Sequence, residues 1–311
     1  MTIPFYDAEA TAALTPFPAL VEALAQASLD AARGEIASPA RLVVPLNQGG
    51  TMLSMPAAAR DLAIHKLVNV CPANRERGLP TIHGQVSVCD PDTGEALLTL
   101  DGPTVTGRRT AAVTLLAMRT FLRAAPREVL LIGTGTQAAH HADALAAVYP
   151  DARVWVRGSS LERAREFCAN RGGRADIRPY ERDAFAENID AVIALTTSRA
   201  PIYDEPARPD RLVVGVGAFT PEMAEIGART LAGSALYVDD PAGAPHEAGD
   251  FIQAGVDWGR VGSLADVLAA AGTSPLGSGA GPMPVVFKSV GCAAWDLAAC
   301  RVARAHQSGG A

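Results

Sequence analysis

Apolar residues recur at helical spacing over residues 18–35, with Leu20, Val21, Leu24 and Leu29 on one stripe, and predict an amphipathic helix that stops near Gly34. Five short strand-like runs follow, at 41–46, 51–55, 62–70, 81–89 and 96–100. Gly49-Gly50, the segment 72–78 and the turn 90–94 punctuate them, which predicts an antiparallel sheet with no long helix inside it. A helix rich in Ala and Leu is expected over 109–122. From Arg127 the pattern changes to alternation. Strands are predicted at 129–132, 153–156, 191–195, 212–216 and 236–238, with helices between them, among them 161–170 and 222–230. That alternation predicts an α/β fold with a doubly wound parallel sheet. The Gly-, Ser- and Pro-rich stretch 271–284 reads as a flexible joint. The strand 285–288 and the helix 292–305 beyond it are expected to return to the first domain. The predicted division is therefore 1–110 plus 285–311 for one domain and 111–284 for the other.

The most informative stretch is Val129-Leu-Leu-Ile-Gly133-Thr134-Gly135-Thr136-Gln137-Ala138. An apolar strand breaks into G-x-G and a helix follows, as dinucleotide binding requires. Gly133 permits the tight turn, and Gly135 lacks a Cβ that would keep a pyrophosphate away. The helix N-terminus offers N–H groups and a positive dipole end to the anion. Ala138 takes the third position, where helix and strand pack closely.

The residue at the end of the next strand selects the nucleotide. A carboxylate about 20 residues past the glycines hydrogen-bonds a ribose 2′-hydroxyl, whereas an Arg accommodates a 2′-phosphate. Here Arg153-Val-Trp-Val156 runs into Arg157-Gly-Ser159-Ser160, with no carboxylate at its end. Arg157 is placed to stack on adenine or pair with the phosphate, and Ser159 or Ser160 to add hydroxyls. The plainer alternative makes Arg157 a solvated loop residue and Ser159 a helix N-cap. NADPH is the expected cofactor, with NADH weaker.

Three cations in the first domain stand out. Lys66 shares a strand face with Ile64 and Val68, where an ammonium is costly unless it meets an anion. Arg41 opens a strand, and Arg108-Arg109 sits at the predicted mouth of a helix with Thr110 behind it. Together Arg41, Lys66 and Arg109 would clamp a carboxylate; taken singly, each reads equally well as a surface ion pair or a snorkelling stem. Thr81, His83 and Gln85 share one face of the next strand. His83 is a candidate proton donor, a holder of a water, or an ordered core histidine.

The formal charge of −6 argues against nucleic acid as a partner. The five cysteines, an odd count without CxxC spacing, read as reduced thiols rather than a disulfide framework or zinc site. No apolar run of about 18 residues suggests a membrane span, and the first residues lack a signal-peptide pattern. A cytoplasmic protein is expected. His140-His141 lies on the helix after the glycine turn, where neighbours point to different faces, so no metal site is expected and both rings are placed on the surface.

The motifs taken in order resemble the ornithine cyclodeaminase/mu-crystallin family: Lys66-Leu-Val-Asn-Val-Cys-Pro-Ala-Asn74, Gly78-Leu-Pro-Thr81, Asp92-Thr-Gly94, Arg109-Thr-Ala-Ala112, Gly133 to Ala138 and Phe287-Lys-Ser-Val-Gly291. The resemblance implies a Rossmann domain inserted into a dimerisation and substrate domain, and a homodimer. It implies carboxylate contacts at Arg41, Lys66 and Arg109, with Thr81 in the pocket. Cofactor contacts are implied at Thr110, the Gly133–Ala138 turn, the end of the second strand, Thr196 and Ser289, Val290 and Gly291. Cyclodeaminases of this family carry an acid/base aspartate where this chain has Ala218, in Gly217-Ala218-Phe219-Thr220-Pro221. That variant, with Thr81-Ile-His83-Gly, is similar to the family's ketimine reductases. The expected activity is reduction of Δ1-pyrroline-2-carboxylate to L-proline and of Δ1-piperideine-2-carboxylate to L-pipecolate, with Lys66, His83 and Arg109 as the catalytic candidates. The alternatives are a cyclodeaminase, an alanine-dehydrogenase-like enzyme, or a non-catalytic NADPH-binding protein of crystallin type.

Overall fold

The computed structural model describes residues 3–171, 176–270 and 283–308. The chain divides into two compact units, one of residues 1–110 with 292–311 and the other of 111–291. The predicted joint lies mostly outside the described residues.

In the first unit, β1 (Phe5–Tyr6), α1 (Ala8–Leu14) and α2 (Phe17–Ala32) precede β2 (Leu42–Pro45), β3 (Thr51–Ala58), β4 (Ala63–Val70), β5 (Ile82–Cys89) and β6 (Ala96–Asp101). The strands form one sheet in the order β1-β6-β5-β4-β3-β2, antiparallel apart from the edge pair β1–β6. The alternation of period two gives it one apolar face: Met55, Ile64, Val68, Val86, Val88, Leu98 and Leu100 are all buried on it.

The helix α3 (Gly102–Phe121) starts seven residues before the predicted 109. The Asp101 carboxylate accepts the Thr104 N–H at 2.8 Å and caps the helix at the strand end. Arg108 and Arg109 therefore stand inside the helix rather than at its mouth.

The second unit runs through β7 (Glu128–Ile132), α4 (Thr136–Val148), β8 (Arg153–Arg157), α5 (Leu161–Ala169), β9 (Ile177–Pro179), β10 (Ala191–Ala194), β11 (Arg199–Tyr203), β12 (Leu212–Gly215), β13 (Ala224–Ile226), α6 (Ala228–Ala232) and β14 (Ala235–Val238). It continues through α7 (Ala244–Glu247), α8 (Gly249–Ala254), β15 (Gly262–Ser263), α9 (Leu264–Ala269) and β16 (Val285–Lys288). Its main sheet is parallel throughout, in the order β15-β14-β16-β12-β10-β7-β8-β9. Strands buried on both faces read as the unbroken apolar runs that the sequence shows. From β7 the chain adds β8 and β9 on one side and then crosses to β10 on the other, so the switch point lies between β7 and β10, where ligands bind such sheets.

Two expectations are corrected here. The strand at 285–288 stays with the parallel sheet, because β16 fills the gap between β12 and β14 in full register; the chain returns to the first unit only at Cys292, entering α10 (Ala293–Ser308). Residues 222–230 are not one helix. The Asp250 carboxylate takes the N–H groups of Glu225 and Ile226, and the segment pairs as β13 with β11 before turning into the short α6.

Candidate functional site

Lys66 sits on the apolar face of its sheet, in a cross-strand row Met55–Lys66–Val86–Leu100. The partner its position demands comes from α10, which packs against α2, β3 and β4. Asp296, in the first turn of α10, is fully buried, and its Oδ1 accepts Lys66 Nζ at 2.9 Å and Arg109 Nε at 3.2 Å. One carboxylate oxygen thus joins two buried cations from β4 and α3. It occupies one of three ammonium donors and one of five guanidinium donors, so both side chains retain capacity for a ligand carboxylate. Burial is the largest influence on Lys66 and pulls its pKa from 10.5 down to about 8; the Arg109 and Arg41 charges add to this, and Asp296 opposes it. Arg41, half-buried just before β2, is therefore within electrostatic reach of the same group.

The neighbouring Arg108 does different work. Its Nε and Nη2 donate to the Thr15 carbonyl at 2.9 and 2.7 Å, and its guanidinium lies 3.9 Å over Phe17. Thr110 is buried on α3. Thr81 lies half-buried ahead of β5. His83 is exposed and pairs with Asn69, so it projects from the sheet face opposite Lys66. The structure does not bring His83 to the Lys66–Arg109–Asp296 cluster.

In the second unit, Gly133 has φ +133°, and a Cβ there would stand 2.7 Å from the Leu195 carbonyl. Gly135 caps α4 with open space where a Cβ would be, so a backbone-hugging anion can approach the exposed start of the helix at Thr136. Gln137 is half-buried and Ala138 fully buried. The end of β8 lies beside this turn: a Cβ on Gly158 would be 3.1 Å from Thr134 Cγ2. Arg157 stacks at 4.7 Å on the Phe185 ring, which fixes its guanidinium at that end. Ser160, not Ser159, caps α5 by accepting the Arg163 N–H at 3.3 Å; Ser159 is exposed. These features fit a dinucleotide.

Two buried carboxylates that the sequence reading missed shape the remaining strand ends. Asp239 accepts the N–H groups of Val290 and Gly291 at 2.9 and 3.0 Å and the Ser289 hydroxyl at 2.8 Å. Glu225 accepts the Thr196 hydroxyl at 2.8 Å. Ala218 is fully buried. His141, expected on the surface, is buried with Nδ1 2.8 Å from the Gln137 carbonyl and Nε2 2.9 Å from the Thr114 hydroxyl. Burial pulls its pKa from 6.5 to about 4. The five cysteines are all free thiols. Among the described residues no group of His, Cys, Asp or Glu could hold a metal ion, and no helix is long and apolar enough to cross a membrane.

The model of the ornithine cyclodeaminase/mu-crystallin family matches residues 6–310. The Δ1-pyrroline-2-carboxylate/Δ1-piperideine-2-carboxylate reductase of Azospirillum brasilense is 61% identical over 303 residues, 97% of this chain and 95% of its own. The structure of Thermococcus litoralis Δ1-pyrroline-2-carboxylate reductase in complex with NADH and L-proline has a TM-score of 0.86 at 23% identity, covering 98% of this chain and 97% of that one, a likeness of fold. An archaeal alanine dehydrogenase, a dimer with bound NAD, has a TM-score of 0.83 at 25% identity, covering 98% and 96%.

Proposed function

The chain belongs to the ornithine cyclodeaminase/mu-crystallin family, and from that premise we propose that it is a cytoplasmic, homodimeric, NADPH-dependent reductase of cyclic ketimines. Its substrates are Δ1-pyrroline-2-carboxylate, giving L-proline, and Δ1-piperideine-2-carboxylate, giving L-pipecolate. The observation that carries this reading is the 61% identity, along nearly the whole chain, to a reductase named for these two acids. The cation cluster supports it, since both substrates present a carboxylate next to the C=N bond. Ala218 supports it too: a methyl stands where cyclodeaminases carry their acid/base aspartate, so amine oxidation followed by cyclisation lacks its proton acceptor.

When bound, the reduced nicotinamide supplies a hydride to the imine carbon. The residues proposed to hold the nucleotide are Thr110, Gly133 to Ala138, Arg157, Ser159, Thr196 and Ser289 to Gly291. Arg41, Lys66 and Arg109 bind the substrate carboxylate and so fix which face of the ring is presented. Asp296 keeps Lys66 and Arg109 side by side. The ring nitrogen arrives protonated, which makes the C=N electrophilic without a protein acid, and His83 needs no part in the transfer.

The test is nucleotide oxidation by purified protein with each cyclic imine, NADPH against NADH. Turnover with both rings and a preference for NADPH is expected. Ammonia release from ornithine with NAD, and no imine reduction, would reverse the assignment.

A further inference from the structure

Three fully buried ionic side chains lie together in the second unit, and the chemistry above uses none of them: Glu225 on β13, Asp250 on α8 and Lys288 on β16. Such a group is expensive to bury and does not persist by default. Lys288 forms an ion pair with Asp250, and Asp250 accepts the N–H groups of Glu225 and Ile226. Glu225 then faces the ends of two parallel strands. Its Oε1 accepts the Thr196 N–H and, at 2.8 Å, the Thr196 hydroxyl, just past β10. Its Oε2 accepts the N–H groups of Gly217 at 2.7 Å and Ala218 at 3.1 Å, just past β12.

One carboxylate therefore ties two loops at the carboxyl ends of neighbouring strands. The tie is close, because a Cβ on Gly217 would come within 1.9 Å of the Thr196 carbonyl. The first of these loops also abuts the glycine turn, through the Leu195 carbonyl beside Gly133. The buried anion is thus one step from the switch point of the sheet.

We propose that Glu225 is a positioning residue for dinucleotide binding, its two carboxylate oxygens holding the loops after β10 and β12 in the spacing that the glycine turn requires. The inference rests on the nucleotide-binding reading above. A glutamine of the same shape has one acceptor oxygen, and its amide would turn N–H groups toward those of Gly217 and Ala218 or of Thr196. An aspartate keeps both acceptors but falls a methylene short of spanning the two loops.

The full chain is compared with Glu225→Gln and Glu225→Asp. NADPH is titrated by nucleotide fluorescence without imine, and imine KM is measured at saturating cofactor. For folded Glu225→Gln, judged by near-ultraviolet circular dichroism, the NADPH Kd is expected to rise about tenfold or more, while imine KM stays within about twofold. Glu225→Asp is expected to lie between the two. Amide exchange at Thr196, Gly217 and Ala218 should quicken in step with the Kd. A folded Glu225→Gln that binds NADPH as the parent does would overturn the inference. If that variant does not fold, Glu225→Asp decides: an unchanged Kd overturns it, a raised one supports it. A parent chain that binds neither NADPH nor NADH overturns the nucleotide reading itself, and the inference with it.

Discussion

At the scale of single residues, the cation cluster sets the expectations. Arg109 brings a planar donor edge and Lys66 a point charge, and charge-assisted bonds of this kind are worth about 2–3 kcal/mol each. Arg109→Ala is expected to lower kcat/KM for the imine acid roughly 30- to 160-fold, read from initial rates. Lys66 has its pKa drawn down to about 8, so its ammonium is present below that pH and lost above it. Carboxylate binding should weaken as pH rises past about 8. The dissociation constant of pyrrole-2-carboxylate, whose ring nitrogen does not ionise in this range, is the measurement, and a flat curve to pH 10 would contradict it.

At the scale of elements, α10 and α4 each carry a buried group that ties them to a neighbour. Asp296 anchors α10 over β4 and α3. Removing one partner of a buried ionic set leaves uncompensated charge and costs about 3–5 kcal/mol. Asp296→Asn is therefore expected to lose that much in urea unfolding, and to shift the alkaline limb of ligand binding to lower pH, because Lys66 loses the charge that supports its proton. His141 binds α4 to Thr114 and is neutral when folded. The unfolded imidazole takes a proton below about 6.5 and the folded one only near 4, so stability is full above 6.5 and falls as the pH drops toward 4, by up to about 3 kcal/mol. Urea midpoints at pH 7 and pH 4.5 test this, and His141→Leu should flatten the difference.

At the scale of the whole molecule, local signals were legible and distant partners were not. The glycine turn could be read because strand, turn and helix are contiguous, and the face of Lys66 because a strand repeats every second residue. Asp296 was invisible: it stands 230 positions from Lys66, and an acid in the first turn of a helix is ordinary there. Glu225 was hidden by a segment whose composition favours a helix, until Asp250 captured its backbone as a strand. The placement of β16 followed from a register between β12 and β14 that no flanking residue announces.

The split of the first unit across positions 1–110 and 292–311 has a temporal side. A ribosome delivers the chain from its amino end, and the contiguous middle unit is complete before the closing helix emerges. Lys66 waits through 230 positions and Arg109 through 187 for Asp296, so the two cations lack their shared counter-ion until the whole middle unit has been made.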